Sequence, residues 1–186
     1  ICQAQSEKEI SPVEIGQKVP AHLLTSLPRQ KNARMLILDF WDISCGACIA
    51  AFPEMDSLQK VFGDSIEIIC VTRDSQAEVD AFEKVMKSRH LKLKWTHLRY
   101  ITDDKDLSKC FPYQMVPHHV WLDYSGMVKA ITNGYNTNFK NIVLCRSGNS
   151  PAVAERKDLL NFDFDRPFFG NGDVRGWQVV HCSIFI

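Results

Sequence analysis

The sequence lacks any long apolar run, since none approaches the roughly 20 residues that a transmembrane helix needs. It has no excess of charge either, because 22 basic and 22 acidic residues leave a formal net charge of zero. A neutral chain gives no electrostatic reason to expect nucleic acid or an anionic membrane as a partner. No internal repeat or low-complexity segment is evident. With 45% hydrophobic and 24% charged residues, the composition is that of an ordinary globular domain.

The seven cysteines lack the spacing of a disulfide framework, because Cys45-Gly46-Ala47-Cys48 is the one close pair among them. A structural zinc site needs four ligands, and the chain has no second CxxC to complete one. His118 and His119 are adjacent, so on a strand they would point to opposite faces. The sequence therefore gives structural zinc little support, and no pattern in it indicates a resident metal or cofactor.

The cysteine pair stands where a strand passes into a helix. The apolar run Met35–Trp41 predicts a buried strand, and Ile49–Phe62 has the pattern of a helix. The first N–H groups of a helix are unpaired and carry partial positive charge, which stabilises a thiolate. The thiolate is the reactive form of cysteine, so Cys45 is predicted to be the nucleophile. Cys48, one turn further on, is placed to close a disulfide and release a bound partner.

Asp39 interrupts the apolar strand just before the cysteines. Burying an unpaired carboxylate is costly, so we expect its pKa to rise toward neutrality. Such a group would suit a base that removes the proton from Cys48. The alternative is an aspartate at a strand end, in contact with water. Two prolines also stand out: Pro53 should kink the helix, and Pro117 opens a later strand and could simply mark its start.

Alternating strands and helices predict an α/β fold with a central mixed sheet flanked by helices. The predicted strands are 35–41, 66–72, 91–95, 116–122 and 127–131. Helices are predicted at about 46–62, at 103–110 and at 137–145, and a further helix is predicted to open with a capping box at Ser75. The predicted organisation is an N-terminal segment 1–11, a domain at 12–148 and a C-terminal extension at 149–186.

The two ends of the chain differ from the domain between them. Ile1–Ser6 is consistent with the end of a secretory signal peptide cleaved before Gln5, or with an arbitrary terminus; a lipidated Cys2 has weaker support. The C-terminal extension is rich in aromatic residues and glycine and finishes in the apolar alternation Trp177–Ile186. We expect it either to begin a further domain or to pair back onto the first.

Taken together, Leu38–Trp41, Cys45–Cys48, Pro53 and Val116-Pro117 resemble the thioredoxin superfamily. Within it, Ile15–Pro20 and Val120–Val128 look like the TlpA/ResA-like extracytoplasmic branch, and the resemblance covers roughly residues 12–146. It implies a thioredoxin-like fold.

The resemblance also implies roles for single residues. Cys45 would be the attacking thiol, Cys48 the resolving thiol and Asp39 the buried acid. Pro117 matches the cis-proline that lies against the disulfide in this superfamily. The residues expected to bind substrate are Val116, through its backbone groups, with Pro117 and Trp41.

The chain departs from the family pattern at four positions. Ser44 replaces a tryptophan that usually precedes the first cysteine, and Ala47 replaces a common proline. Ala51 stands where many ResA-like proteins have a glutamate, which leaves Asp39 to serve alone if any acid does. His118 is an unusual ionisable group after the cis-proline position, where it is expected to face away from the cysteines rather than to tune them.

The sequence therefore predicts a thiol–disulfide oxidoreductase that acts on protein thiols and disulfides without a cofactor, as a reductant. The branch resemblance implies a periplasmic, extracytoplasmic location and a membrane electron donor. The alternative is a non-catalytic thioredoxin-fold module that binds copper, since soft thiolates at Cys45 and Cys48, with His118, suit Cu(I).

Overall fold

The structure is a computed structural model that describes residues 10–28, 30, 32–89, 97–149, 156 and 158. The predicted signal segment with Cys2, the predicted strand at 91–95 and the terminal alternation Trp177–Ile186 lie outside the described residues.

Five strands form one sheet in the described part of the chain. They are β1 (Met35–Phe40), β2 (Ile66–Val71), β3 (Arg99–Ile101), β4 (His118–Asp123) and β5 (Val128–Thr132). Their order is β3-β2-β1-β4-β5, with β1, β2 and β3 parallel and β4 antiparallel to both β1 and β5. The predicted central mixed sheet is confirmed. The parallel half comes from strands that alternate with helices, and the antiparallel edge comes from the hairpin.

Five α-helices flank this sheet among the residues that the structure describes. They are α1 (Ala21–Ser26), α2 (Gly46–Phe62), α3 (Gln76–Ser88), α4 (Leu107–Cys110) and α5 (Phe139–Arg146). The predicted capping box of α3 is present, because Ser75 and Glu78 each satisfy the backbone N–H of the other. Pro53 lies inside α2 as predicted.

The side chains of β1 and of the next residue, Trp41, are divided between the two faces of the sheet. Met35, Ile37 and Trp41 pack in the core layer that includes Cys48 and Phe52 of α2. Leu36, Leu38 and Phe40 pack on the other side of the sheet, with α1 and α4. We call the side covered by α2, α3 and α5 the α2 face. Because side chains alternate along a strand, Asp39 points to the α2 face, beneath the helix that carries the cysteines.

Two predicted helices start later than expected. The segment 103–110 is helical only over α4, because Asp103 adopts a left-handed φ of 56° and the carboxylate of Asp104 accepts hydrogen bonds from the first N–H groups of the helix. The helix predicted to start at 137 starts at Phe139, because its cap is Asn138, whose side chain accepts from the N–H of Asn141. The three-residue strand β3 was not predicted.

Candidate active site

The two cysteines form a disulfide at the first turn of α2. Cys45 is the N-cap residue, and its Cα lies 5.3 Å from that of Cys48. The Cys48 N–H donates a hydrogen bond to Cys45 Sγ at 3.1 Å. The Cys45 sulfur therefore lies at the positive end of a 17-residue helix, where negative charge on sulfur is favoured.

The two sulfurs differ in access to solvent. Cys45 is partly exposed, whereas Cys48 is 2% exposed and packs in the core of the α2 face. A large partner can reach Cys45 and not Cys48. This asymmetry matches the predicted roles of attacking and resolving thiol.

Two carboxylates hold the loop that leads into the cysteine pair. Asp42 Oδ1 accepts from the Ser44 N–H at 2.8 Å and from the Ser44 hydroxyl at 2.6 Å. Asp74, in the loop after β2, accepts from the Ile43 N–H at 2.8 Å. Sequence reasoning missed both aspartates, although an aspartate two residues before a serine is a recognisable turn pattern.

Asp39 is 2% exposed, which excludes the alternative of an aspartate in contact with water. Its Oδ1 lies 3.0 Å from Nε2 of His119, the residue opposite it in the β1–β4 register. The distance is that of an ion pair, but neither atom meets the angular condition for a hydrogen bond. The two side chains thus form a close, buried ionisable pair.

His119 is held from its other side. Its Nδ1 lies 2.7 Å from the Thr137 hydroxyl, which also accepts a hydrogen bond from Trp121 Nε1 at 3.2 Å. Because that hydroxyl accepts from Trp121, it can donate its own proton to Nδ1, which would leave the His119 proton on Nε2, toward Asp39. Sequence reasoning did not find His119, since the pairing of β1 with β4 depends on the sheet order.

The Val116–Pro117 peptide bond is cis, as the resemblance led us to expect. A Cβ on Gly134 would lie 3.2 Å from Pro117 Cγ, so the absence of a side chain at residue 134 allows this close approach. Val116 is partly buried and contacts both core layers, while its neighbour Met115 is 64% exposed. An exposed apolar side chain thus lies beside the predicted substrate-binding residue.

Trp41 does not offer a side chain to substrate. It is 1% exposed, and its ring packs edge-on against Phe52 with centroids 5.1 Å apart. Trp41 belongs to the core beneath the cysteines, and we assign it a packing role in place of the predicted contact with substrate. The apolar strand pattern that contains it already indicated burial.

His118 lies on the face of the sheet opposite the cysteines. Its ring packs against Phe40 and Tyr113, with centroids 5.6 and 5.3 Å away, and burial lowers its pKa to about 4. His118 therefore faces away from Cys45 and Cys48, as expected. In the part of the chain that the structure describes, no group of three or more histidine, cysteine or acidic residues could hold a metal ion. The copper alternative is not supported.

The other cysteines of the described residues are poorly suited to redox chemistry. Burial, followed by the charge of Asp39, raises the pKa of Cys70. Burial raises the pKa of Cys110 to about 11 and also raises that of Cys145. A raised pKa disfavours the thiolate, so these three cysteines are less suited to attack a disulfide than Cys45, whose sulfur lies at a helix N-terminus.

Comparison with protein families finds no match. Among curated proteins, the thioredoxin-like protein YneN of Bacillus subtilis is 29% identical over 90 residues, which are 43% of this chain. The match spans 52% of YneN, so the chain covers about half the length of that relative.

Solved structures of similar shape include the exposed lipoprotein thioredoxin Etrx1 of Streptococcus pneumoniae, 20% identical with a TM-score of 0.47 over 62% of this chain and 84% of that one. Another is the thioredoxin domain of a thiol-disulfide oxidoreductase from Bacteroides vulgatus, 14% identical with a TM-score of 0.49 over 73% of this chain and 97% of that one.

No helix in the described ranges is long and apolar enough to cross a membrane. The mixed sheet, the cysteine pair at the start of α2 and the cis-proline agree with the similarity to YneN. The chain is thus similar, over part of its length, to a curated thioredoxin-like protein.

Proposed function

We propose that the protein is a thiol–disulfide oxidoreductase that acts on protein substrates. The observation that carries the proposal is the disulfide between a partly exposed Cys45, at the N-terminus of α2, and a buried Cys48. Both cysteines lie in one helical turn, so the pair can open and close without rearrangement of the sheet.

The reaction is an exchange of sulfur–sulfur bonds. In the reduced protein the Cys45 thiolate attacks one sulfur of a substrate disulfide, and the other substrate sulfur leaves as a thiolate. The Cys48 thiolate then attacks Cys45 Sγ, which breaks the mixed disulfide and releases the second substrate thiolate. Two electrons pass from the protein to the substrate, and Cys45 and Cys48 end as a disulfide.

Asp39 is the proposed base for the second step. It points to the α2 face, the side on which Cys48 is buried, and water has little access there. A thiol in this position needs an internal group to take its proton before it can attack. His119, 3.0 Å from Asp39, would help to hold that carboxylate in place.

An extended segment of the substrate is proposed to bind beside Val116 and Pro117. Backbone groups at Val116 would pair with the segment in the manner of an added strand. The exposed side chain of Met115 would contribute apolar contact at the same place. This arrangement would bring a substrate disulfide to Cys45.

A periplasmic, extracytoplasmic reductant of the TlpA/ResA-like branch, supplied with electrons by a membrane donor, is the finer proposal. Its support is that the two segments resembling this branch contact each other. Lys18 and Met127 form an isolated bridge, and the Gly16 N–H donates to the carbonyl of Val128 at 2.9 Å.

A glutathione redox titration tests the proposed function. The state of Cys45 and Cys48 is read by alkylation and mass spectrometry, and a reversible two-electron transition is expected. A midpoint reduction potential of about −270 mV would indicate a reductant, and one of about −120 mV would indicate an oxidant. Cys45→Ser should abolish disulfide reduction, so activity that survives in this variant would contradict the assignment.

A further inference from the structure

Arg156 lies beyond the predicted end of the domain at residue 148, yet it contacts the loop that carries the cis-proline. Its backbone N–H donates to the carbonyl of Ile131 in β5 at 2.9 Å. Its guanidinium donates to the carbonyl of Pro117 through Nη1 at 2.6 Å and to that of Met115 through Nη2 at 2.7 Å. These two carbonyls stand on either side of Val116.

Asp158 binds backbone N–H groups of the same loop. Its Oδ2 accepts from the backbone N–H of Gln114 at 2.9 Å and of Met115 at 3.3 Å. Partial burial acts to raise the pKa of Asp158, but the hydrogen bonds from Arg156 and from these two N–H groups outweigh it, and the pKa is lowered. The carboxylate is thus held in its charged form.

The two side chains also bind each other. Arg156 Nε lies 2.7 Å from Asp158 Oδ1, and Nη2 lies 3.1 Å from Oδ2, a bidentate pair. The side chains are 18% and 13% exposed. Water therefore competes weakly for these groups, and the pair holds four backbone groups of residues 114–117 in place.

We propose that Arg156 and Asp158 are positioning residues of the substrate-binding loop, so that the C-terminal extension helps to determine the affinity for extended protein substrates. The proposal rests on the proposed function. The pair fixes the backbone on both sides of Val116, and an added strand binds more tightly where donors and acceptors are aligned in advance, because less ordering is needed on binding. The pair is not proposed to touch the reacting sulfurs.

Arginine is the residue suited to this position. A planar guanidinium can reach two carbonyls and one carboxylate at once, whereas the ammonium of lysine is a single point. Arg156→Lys keeps the charge and loses part of this geometry. The kcat/KM of Arg156→Lys on a protein disulfide should therefore lie between the values of the wild type and of Arg156→Gln. This variant keeps the charge, so it also serves as the test if Arg156→Gln folds poorly.

The test compares a protein disulfide with a small one. Insulin serves as the extended probe and DTNB as a small disulfide that does not reach along the loop. For Arg156→Gln and Asp158→Asn we expect kcat/KM on insulin to fall about tenfold, mainly through KM, with DTNB reduction and the Cys45–Cys48 midpoint unchanged. Arg89→Gln, an exposed arginine at the end of α3, is the matched control and should change neither probe.

Two results would overturn the inference. An equal loss on insulin and DTNB would mean that the pair acts through stability or through the sulfurs, and a gain on insulin would mean that the extension covers the loop. Wild-type protein that reduces neither probe, or whose cysteines never form a disulfide, would instead show that the proposed function is wrong, and the inference would fall with it.

Discussion

Asp39 and His119 face each other across β1 and β4, with Oδ1 and Nε2 3.0 Å apart and side chains 3% and 1% exposed. The pair lies on the same face of the sheet as the cysteines, and Thr137 holds the far side of the imidazole. Removing one member of a buried ionisable pair leaves the other without its partner, which costs far more than losing the same pair at the surface.

Removing His119 should therefore destabilise the protein strongly. His119→Leu is expected to lower the free energy of unfolding by about 3 kcal/mol, because Asp39 stays buried without its partner. In the double variant with Asp39→Asn the loss should be smaller than the sum of the two single losses, with a coupling of about 1 kcal/mol or more. Urea denaturation of the oxidised wild type, the two single variants and the double variant measures the four free energies of unfolding that give the coupling.

The chain offers a matched control for this cycle. His97 Nδ1 and Asp56 Oδ2 are also 3.0 Å apart, but the His97 side chain is 45% exposed. The cycle with His97→Leu and Asp56→Asn should show a coupling below about 0.5 kcal/mol. Equal coupling in the two cycles would contradict the special role of burial at Asp39 and His119.

The cysteines of the reduced protein should react in a definite order. With limiting iodoacetamide at neutral pH, Cys45 is expected to be alkylated at least about tenfold faster than Cys48, because Cys45 is partly exposed and lies at a helix N-terminus. Cys70 and Cys110 should react slowest, since burial raises the pKa of both thiols. Peptide mass spectrometry over time gives the order.

The control for this experiment is Cys45→Ser, in which the fast phase should disappear while the slow reactions remain. Labelling of Cys48 or Cys145 before Cys45 in the wild type would show that access to the sulfurs differs from that described.

His118 should make stability depend on pH. Burial, which is the largest cause, and the charges of Arg156 and His119 lower the pKa of His118 to about 4. The charge of Asp158 acts to raise this pKa but is outweighed. Between about pH 6.5 and pH 4 the unfolded chain binds a proton at this histidine that the folded chain does not. Stability should therefore fall with decreasing pH over this window, by up to about 3 kcal/mol at its lower end.

The variant His118→Phe isolates this contribution, because phenylalanine can keep the ring contacts with Phe40 and Tyr113 and cannot titrate. Urea denaturation at several pH values should give a shallower dependence for the variant than for the wild type. Curves that stay parallel would show that His118 does not supply the difference.

Local patterns in the sequence were enough to predict the parts that depend on neighbouring residues. The apolar run of β1, the start of α2 at the cysteines and the capping box at Ser75 all follow from side chains within a few positions of each other. The mixed sheet followed from the order of these elements and the hairpin.

The parts that were missed depend on tertiary pairing. His119 reaches Asp39 only through the β1–β4 register, and Arg156 reaches the carbonyl of Pro117 over a separation of 39 residues. The strand β3 spans three residues, too few for an alternating pattern to be visible. Trp41 was assigned to substrate through the resemblance alone, whereas its 1% exposure and its packing against Phe52 place the side chain in the core.

The hydrogen bond from the Arg156 N–H to the Ile131 carbonyl also affects the backbone groups that an outer strand of the sheet leaves unpaired. A bare outer strand offers its unpaired backbone groups to any neighbour, which favours self-association. Within the described sheet, β5 forms one border, and Arg156 already occupies a carbonyl there; at the other border β3 is only three residues long. The Arg156 N–H therefore takes up one backbone acceptor that a strand added at the β5 border would use.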